Sequence, residues 1–141
     1  MAELRYLEET PPVEEFRSMR VRAGLSAKTA EAAAAGLPNT LFAVSVRDDE
    51  RLVGMGRVVG DGGLNFEVVD IAVDPDYQRQ GIGYQIMEIL MGRVRQVASP
   101  SALVSLLADE GAPALYAKFG FTPSAPASIG MSLTIRADTS L

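Results

Sequence analysis

Cysteine, histidine and tryptophan are all missing from this 141-residue chain. Without cysteine there is no disulfide framework and no thiol nucleophile. Without histidine, any proton transfer falls to carboxylates, tyrosine, lysine, water or the backbone, and a zinc site loses its commonest ligands. No apolar stretch approaches the roughly 18 residues that a transmembrane helix needs. The opening residues Met1-Ala2-Glu3-Leu4-Arg5-Tyr6 lack the basic region and apolar run of a signal peptide, so a cytoplasmic location is expected. Positive charge is also short. Against 18 acidic residues stand 13 basic ones, giving a net charge of −5 and a pI of about 4.7. That balance argues against nucleic acid and anionic membrane surfaces as partners and mildly favours cationic ligands.

What is present is ordinary for a globular chain, with 48% hydrophobic and 22% charged residues. The length suits one domain spanning residues 1–141. Leu4–Leu7 reads as a short strand. Pro11-Pro12 ends it, and Val13, Phe16, Arg17, Met19 and Arg20 fall at helical spacing. Gly24-Leu25-Ser26 breaks that helix, with Ser26 as N-cap of a second one over Ala27–Ala35, stopped by Gly36 and Pro38. Three strand-like runs come next: Leu41–Val46, Arg51–Val59 and Leu64–Val73. Tight turns at Asp48-Asp49-Glu50 and Asp61-Gly62-Gly63 join them into an antiparallel meander. Gly54 and Gly56 weaken the middle strand, marking either a bend or a close approach by a ligand or backbone. Gly83–Val97 is the longest helix. Ser101–Leu107 reads as a central strand, apolar on both faces. Asp109–Phe119 is read as a helix ended by Gly120. Phe121 opens a last strand region, paired with Ile129–Ile135.

The segment Val69–Gly83 concentrates the chemistry. An apolar strand ends at Val73, Pro75 turns the chain, and Gly81-Ile82-Gly83 leads straight into the long helix. A helix N-terminus carries unpaired N–H groups and partial positive charge, so this loop is an anion cradle suited to a phosphorylated ligand over residues 78–84. A nucleoside-triphosphate loop would need Lys and Ser or Thr after the last glycine, but Tyr84 stands there. A dinucleotide fingerprint would need a third glycine three residues after Gly83 and a preceding parallel unit. The plainest alternative is a glycine turn with no ligand.

Gln78-Arg79-Gln80-Gly81-Ile82-Gly83 resembles the Gln/Arg-x-x-Gly-x-Gly/Ala signature of the GNAT superfamily of N-acetyltransferases. Leu115-Tyr116-Ala117-Lys118-Phe119-Gly120-Phe121 is similar to the family's Leu-Tyr-x-Lys-x-Gly-Phe element. The two stand in the family's order, and the resemblance covers about residues 41–135. It implies an α+β fold with a mixed, mostly antiparallel sheet of about six to seven strands, flanked by about four helices and splayed before the glycine loop. It implies acetyl-CoA as acetyl donor. Gln78, Arg79, Gln80, Gly81, Ile82, Gly83 and Tyr84 would hold its pyrophosphate, and Ile71, Ala72 and Val73 would pair with its pantetheine arm. The amide near Ile71 would polarise the thioester carbonyl. Where the family often has Asn contacting the cofactor, this chain has Asp109, which cannot donate when ionised.

By the same resemblance Tyr116 is the general acid that protonates the leaving thiolate. The base is Glu67, water or Asp70. Strand alternation puts Glu67, Val69 and Ile71 on one face and Asp70 on the other, unless a bulge re-aims it. The alternative is that one of these carboxylates simply pairs with Arg57. Arg17, Arg20 and Arg22 could bind an anionic group or form a solvated helix face, while Glu67, Asp70 and Asp61 favour a cationic amine. The expected acceptor is a primary amine of a small molecule. Acetylation of a protein or peptide amine, and a non-catalytic acyl-CoA-binding regulatory module, are the competing readings. Exposed strand edges leave room for a homodimer, which is common in the family.

Overall fold

The computed structural model describes residues 3–109 and 111–137. Met1 and Ala2, part of the N-terminal reading, and Glu110, inside the expected Asp109–Phe119 helix, lie outside them. Five strands form one sheet in the order β1-β2-β3-β4-β5: β1 (Leu4–Leu7), β2 (Phe42–Asp48), β3 (Arg51–Gly60), β4 (Asn65–Val73) and β5 (Leu103–Ser105). All neighbours are antiparallel except β4 and β5, which run parallel because a helix connects them. The helices are α1 (Val13–Arg22), α2 (Ala30–Gly36), α3 (Ile82–Val97) and α4 (Pro113–Ala117). None of the described helices is long and apolar enough to cross a membrane.

The sheet is buried on both faces, with a different helical layer on each. Val44, Val46, Val58, Phe66 and Val68 pack against Ile82, Ile86, Met87, Leu90, Met91 and Val94 of α3. On the other face Leu52, Met55 and Ala72 meet Phe16 and Met19 of α1, Ala33 of α2, and Leu37. Gly54 and Gly56 serve the first of these layers. A Cβ on Gly56 would stand 2.6 Å from Ile71 Cδ1 and 2.7 Å from Ile86 Cγ2, and one on Gly54 would stand 3.1 Å from Ile82. Their missing side chains let α3 lie close on the sheet, so the close approach comes from a helix.

Several expectations are corrected. Helix α2 starts at Ala30 and is capped by Thr29, whose Oγ1 accepts from the Ala32 amide at 3.1 Å. Ser26 lies four residues ahead of this helix, where its Oγ and carbonyl both accept from Arg20. Helix α4 is shorter than Asp109–Phe119, since Gly111 has φ of 86° and Pro113 cannot donate to a preceding turn. The expected central strand Ser101–Leu107 shrinks to β5 at an edge, with Leu103 and Leu107 largely exposed. Residues 121–135 form no strand, so the sheet has five members among the described residues. The alternation Ile129, Met131, Leu133, Ile135 is real, yet all four side chains are exposed, and no strand pairs with them among the described residues.

Candidate active site

Strand β4 carries an irregularity at the centre of the site. Arg57 of β3 faces Val69 and Met55 faces Ala72, so Gly56 alone lies across from both Asp70 and Ile71. This is a β-bulge, and Asp70 takes a left-handed φ of 59°, which aspartate tolerates better than most residues. The extra residue re-aims the side chains at and beyond it. Asp70 now shares the α1/α2 face with Glu67, while Ile71 turns to the α3 side, packing against that core. The simple alternation that placed Ile71 with Glu67 fails here, because two β4 residues occupy one pairing position.

The Asp70 carboxylate is held from both sides. Arg20 donates to Oδ1, and Arg57 Nε donates to Oδ2 at 2.7 Å. Arg57 Nη1 also donates to Thr40 Oγ1 at 2.7 Å, and its guanidinium lies 5.7 Å from the Phe16 ring centroid. Asp70 is therefore an anchored counter-ion, as the alternative of an Arg57 pair allowed. Glu67, half-buried on the same face, makes no ion pair among the described residues. Phe16, Lys28, Ala33, Leu37, Arg57 and Asp70 border a cleft of about 220 Å³ beneath α2. Nothing in the sequence singles out Lys28 or Thr40. Arg57 was visible as a charge inside an apolar strand.

The three α1-side arginines are committed to the fold. Arg17 pairs with Glu14 and donates to the Lys28 carbonyl, Arg20 takes Asp70, and Arg22 pairs with Asp74. Asp74 is almost fully buried, and its carboxylate also accepts from Arg51 at 3.0 Å and from the Asp76 amide at 2.9 Å. Burial pushes its pKa up, but the Asp76 amide and the Arg51 and Arg22 charges outweigh that and leave it lowered. Asp61 caps its turn, accepting from the Gly63, Leu64 and Asn65 amides.

From Asp74 the chain passes through a single 3-10 turn at Pro75–Tyr77 into the glycine loop. Gln78 Nε2 reaches back to the Val73 carbonyl at 3.3 Å. Gln78, Arg79, Gln80 and Gly81 are exposed, with φ of 64° at Arg79 and 80° at Gly81. Gln85 makes the first helical bond, to the Gly81 carbonyl at 3.0 Å, so the amides of Ile82, Gly83 and Tyr84 lie at the open end of α3. The Ile82 side chain belongs to the core, so only its backbone faces the loop. A Cβ on Gly81 would meet nothing within 4 Å, and one on Gly83 would only touch Leu115. Tyr84 stacks against Phe119, centroids 5.0 Å apart, and Lys118 Nζ lies 5.9 Å from the Tyr84 ring centroid. Sequence reasoning missed this ammonium at the loop mouth, although it sits inside the tyrosine segment.

Beside the loop the sheet opens. Strand β5 pairs with β4 only at Asn65, Phe66 and Glu67, and beyond Glu67 no described strand covers that edge of β4. Ala72 is buried there, paired with Met55, and Val73 pairs with Gly54 on the β3 side. Tyr116, on α4, packs against the α3 core with its ring edge-on to Phe121. Burial raises its pKa, and the nearby Asp109 charge raises it further. Asp109 itself accepts through its carbonyl from the Ala112 amide.

Residues 39–123 match the family model described as an acetyltransferase (GNAT) domain, and the chain belongs to that family of acyltransferases, whose acetyl donor is acetyl-CoA. A protein of unknown function from meticillin-resistant Staphylococcus aureus, named as a probable acetyltransferase, is 47% identical with a TM-score of 0.92; the match covers 94% of this chain and all of that one. An uncharacterized N-acetyltransferase of Porphyra purpurea is 34% identical over 71 residues, 50% of this chain and 40% of that protein. The chain therefore spans under half the length of such curated relatives. A Mycobacterium tuberculosis structure, 21% identical with a TM-score of 0.63 over 86% of this chain and 70% of that one, shares the fold and was solved in complex with CoA.

Proposed function

We propose that this chain transfers the acetyl group of acetyl-CoA to the primary amine of a small molecule by direct attack. The observation that carries this reading is the pairing of an open helix end at Gly81–Tyr84 with a nearby edge of β4 that no described strand covers. Phosphates suit the first and an extended amide-containing arm suits the second. Bound there, the donor supplies an activated thioester. Arg79 and Lys118 add positive charge at the phosphate end, and Gly81 leaves the approach unobstructed. The Ile71 amide, displaced by the bulge, is the donor assigned to the thioester oxygen.

An alkylamine with a pKa near ~10 arrives protonated and must lose a proton. Glu67 takes it, directly or through water, because Asp70 has both oxygens engaged by arginines. The C–N bond then forms as the C–S bond breaks, and Tyr116 gives its phenolic proton to the departing sulfur. Its raised pKa keeps that proton in place through neutral pH. A cleft of about 220 Å³ has room for one small acceptor.

Calorimetric titration with acetyl-CoA, then thiol release over a set of small amines, tests the reading. Saturable binding weakened about tenfold by Gly81→Glu, together with amine-dependent thiol release, is expected. Absence of binding at millimolar acetyl-CoA removes the cofactor site. Binding without transfer to any amine favours a regulatory acyl-CoA module.

A further inference from the structure

The cleft beneath α2 carries charge opposite to that of the molecule. The chain as a whole is at −5, yet the charged groups at the cleft are Arg57, Lys28 and, behind the wall, Arg20, against Asp70 alone. Two cations and one anion line the cleft, and Arg20 pairs with that anion from outside the lining. Asp70 offers nothing to a ligand, because Arg20 and Arg57 take its two oxygens.

The two cleft cations are not spent in the same way. Arg57 is fixed by Asp70, Thr40 and the face of Phe16, all through Nε, Nη1 and the guanidinium plane. Its Nη2 meets no acceptor among the described residues, and it is not among buried atoms sealed from solvent. Lys28 is exposed at the rim, and its ammonium has no ion pair among the described residues. If Asp70 needed only neutralising, Arg20 would suffice. A second guanidinium in a mostly buried site costs desolvation that a further anion would offset.

We infer that this cleft binds the anionic end, carboxylate or phosphate, of the amine acceptor, with Arg57 as the fixed donor and Lys28 as the adaptable one. The inference rests on the acetyltransferase reading and narrows its substrate class. Either anion presents the oxygen acceptors that a guanidinium fork and an ammonium recognise. Asp70 in the cleft wall is the chain neighbour of Ile71, so the cleft and the assigned thioester position meet at adjacent β4 residues. At ~30 Å³ per water the cleft holds about seven waters, the scale of an amino acid. The bulge thus links both subsites. It turns Asp70 toward the cleft to hold Arg57 and carries the Ile71 backbone beside it. The overall acidity of the chain, which favoured a cationic ligand, does not extend to this spot.

Matched acceptors test this at saturating acetyl-CoA: glycine beside glycinamide, β-alanine beside β-alaninamide, and 2-aminoethyl phosphate beside ethanolamine. Thiol release gives kcat/KM for each, and calorimetry gives acetyl-CoA affinity for each variant. In at least one pair the anionic member is favoured roughly tenfold, as expected for one charged hydrogen bond, with the difference in KM. Arg57→Gln brings the ratio to near one, and Lys28→Glu lowers it several-fold, both with acetyl-CoA binding intact. Should Arg57→Gln fail to fold, Lys28→Glu on the exposed rim decides alone. Acetyl-CoA binding without preference for any anionic amine, or a preference that survives the variants, overturns the inference and leaves the acetyltransferase reading in place. Absence of acetyl-CoA binding overturns both.

Discussion

At the glycine loop the groups that face outward are backbone amides of Ile82, Gly83 and Tyr84. Across β4, the cleft beneath α2 presents a guanidinium and an ammonium instead. The first region needs little beyond a helix start and a glycine at positive φ, so its geometry survives wide changes in neighbouring side chains. The second depends on long-range partners: Arg20 lies 50 positions from Asp70, and Arg57 lies 13 from it. A backbone-built subsite suits a donor shared across a family, whereas a side-chain-built one suits an acceptor that differs between members. The comparison predicts that changes at the cleft act on stability and acceptor choice, and changes at the loop act on donor affinity.

Breaking the cleft has the largest expected effect on the fold. Arg20→Ala removes one of two partners from a buried carboxylate and lowers unfolding free energy by about 3 kcal/mol, read by urea titration. An unchanged midpoint would show that Arg57 alone holds Asp70. On the other side of the sheet, Tyr116→Phe keeps the ring packing and deletes the proton. It should lower kcat about a hundredfold, ~2.7 kcal/mol in barrier, while acetyl-CoA affinity stays within about twofold. A loss confined to affinity would move Tyr116 from proton donor to binding contact. Gly56→Val forces a side chain against Ile71 and Ile86 and costs about 2 kcal/mol, visible as a lower thermal midpoint. Because it pushes on the bulge from beneath, it should also raise the KM for the acceptor.

The smallest effect concerns pH. The Asp74 carboxyl is lowered in the folded state, so the unfolded chain binds its proton first as pH falls. Its stabilising contribution is complete above the unfolded value of about 3.9 and is lost as pH drops through the lower folded value. Asp74→Asn therefore lowers stability at pH 7 and flattens its decline below about pH 4, measured by denaturant melts across pH. An equally steep decline in the variant would assign the acid sensitivity to other carboxylates, such as Glu15 beside Arg47.

Much of the fold was legible because its causes are local. The meander could be read from apolar runs separated by Asp-containing turns, and α3 from its spacing. Where elements were misjudged, a non-local partner decided. Ser26 looks like an N-cap until Arg20 claims its oxygens, and the 129–135 segment alternates like a strand without a described partner. Read as separate charges, Glu67, Asp70 and Asp61 favoured a cationic amine, while the arginines on α1 allowed an anionic group or a solvated face. The structure commits most of them to the fold instead: Arg17 and Arg22 are paired elsewhere, Asp61 caps a turn, and Asp70 is doubly held.

The glycine loop, the tyrosine segment, the long helix and the family they define are all written in short stretches of sequence. Positive φ at glycine, helical periodicity and strand alternation are properties of such stretches. It took the folded chain to establish that two β4 residues share the place across from Gly56, that Asp70 consequently turns toward α1, and that Arg57 lines the cleft with Nη2 unengaged among the described residues. A single extra residue in a strand reverses the side-chain order beyond it, and nothing within the strand's own residues records which partner position it will skip.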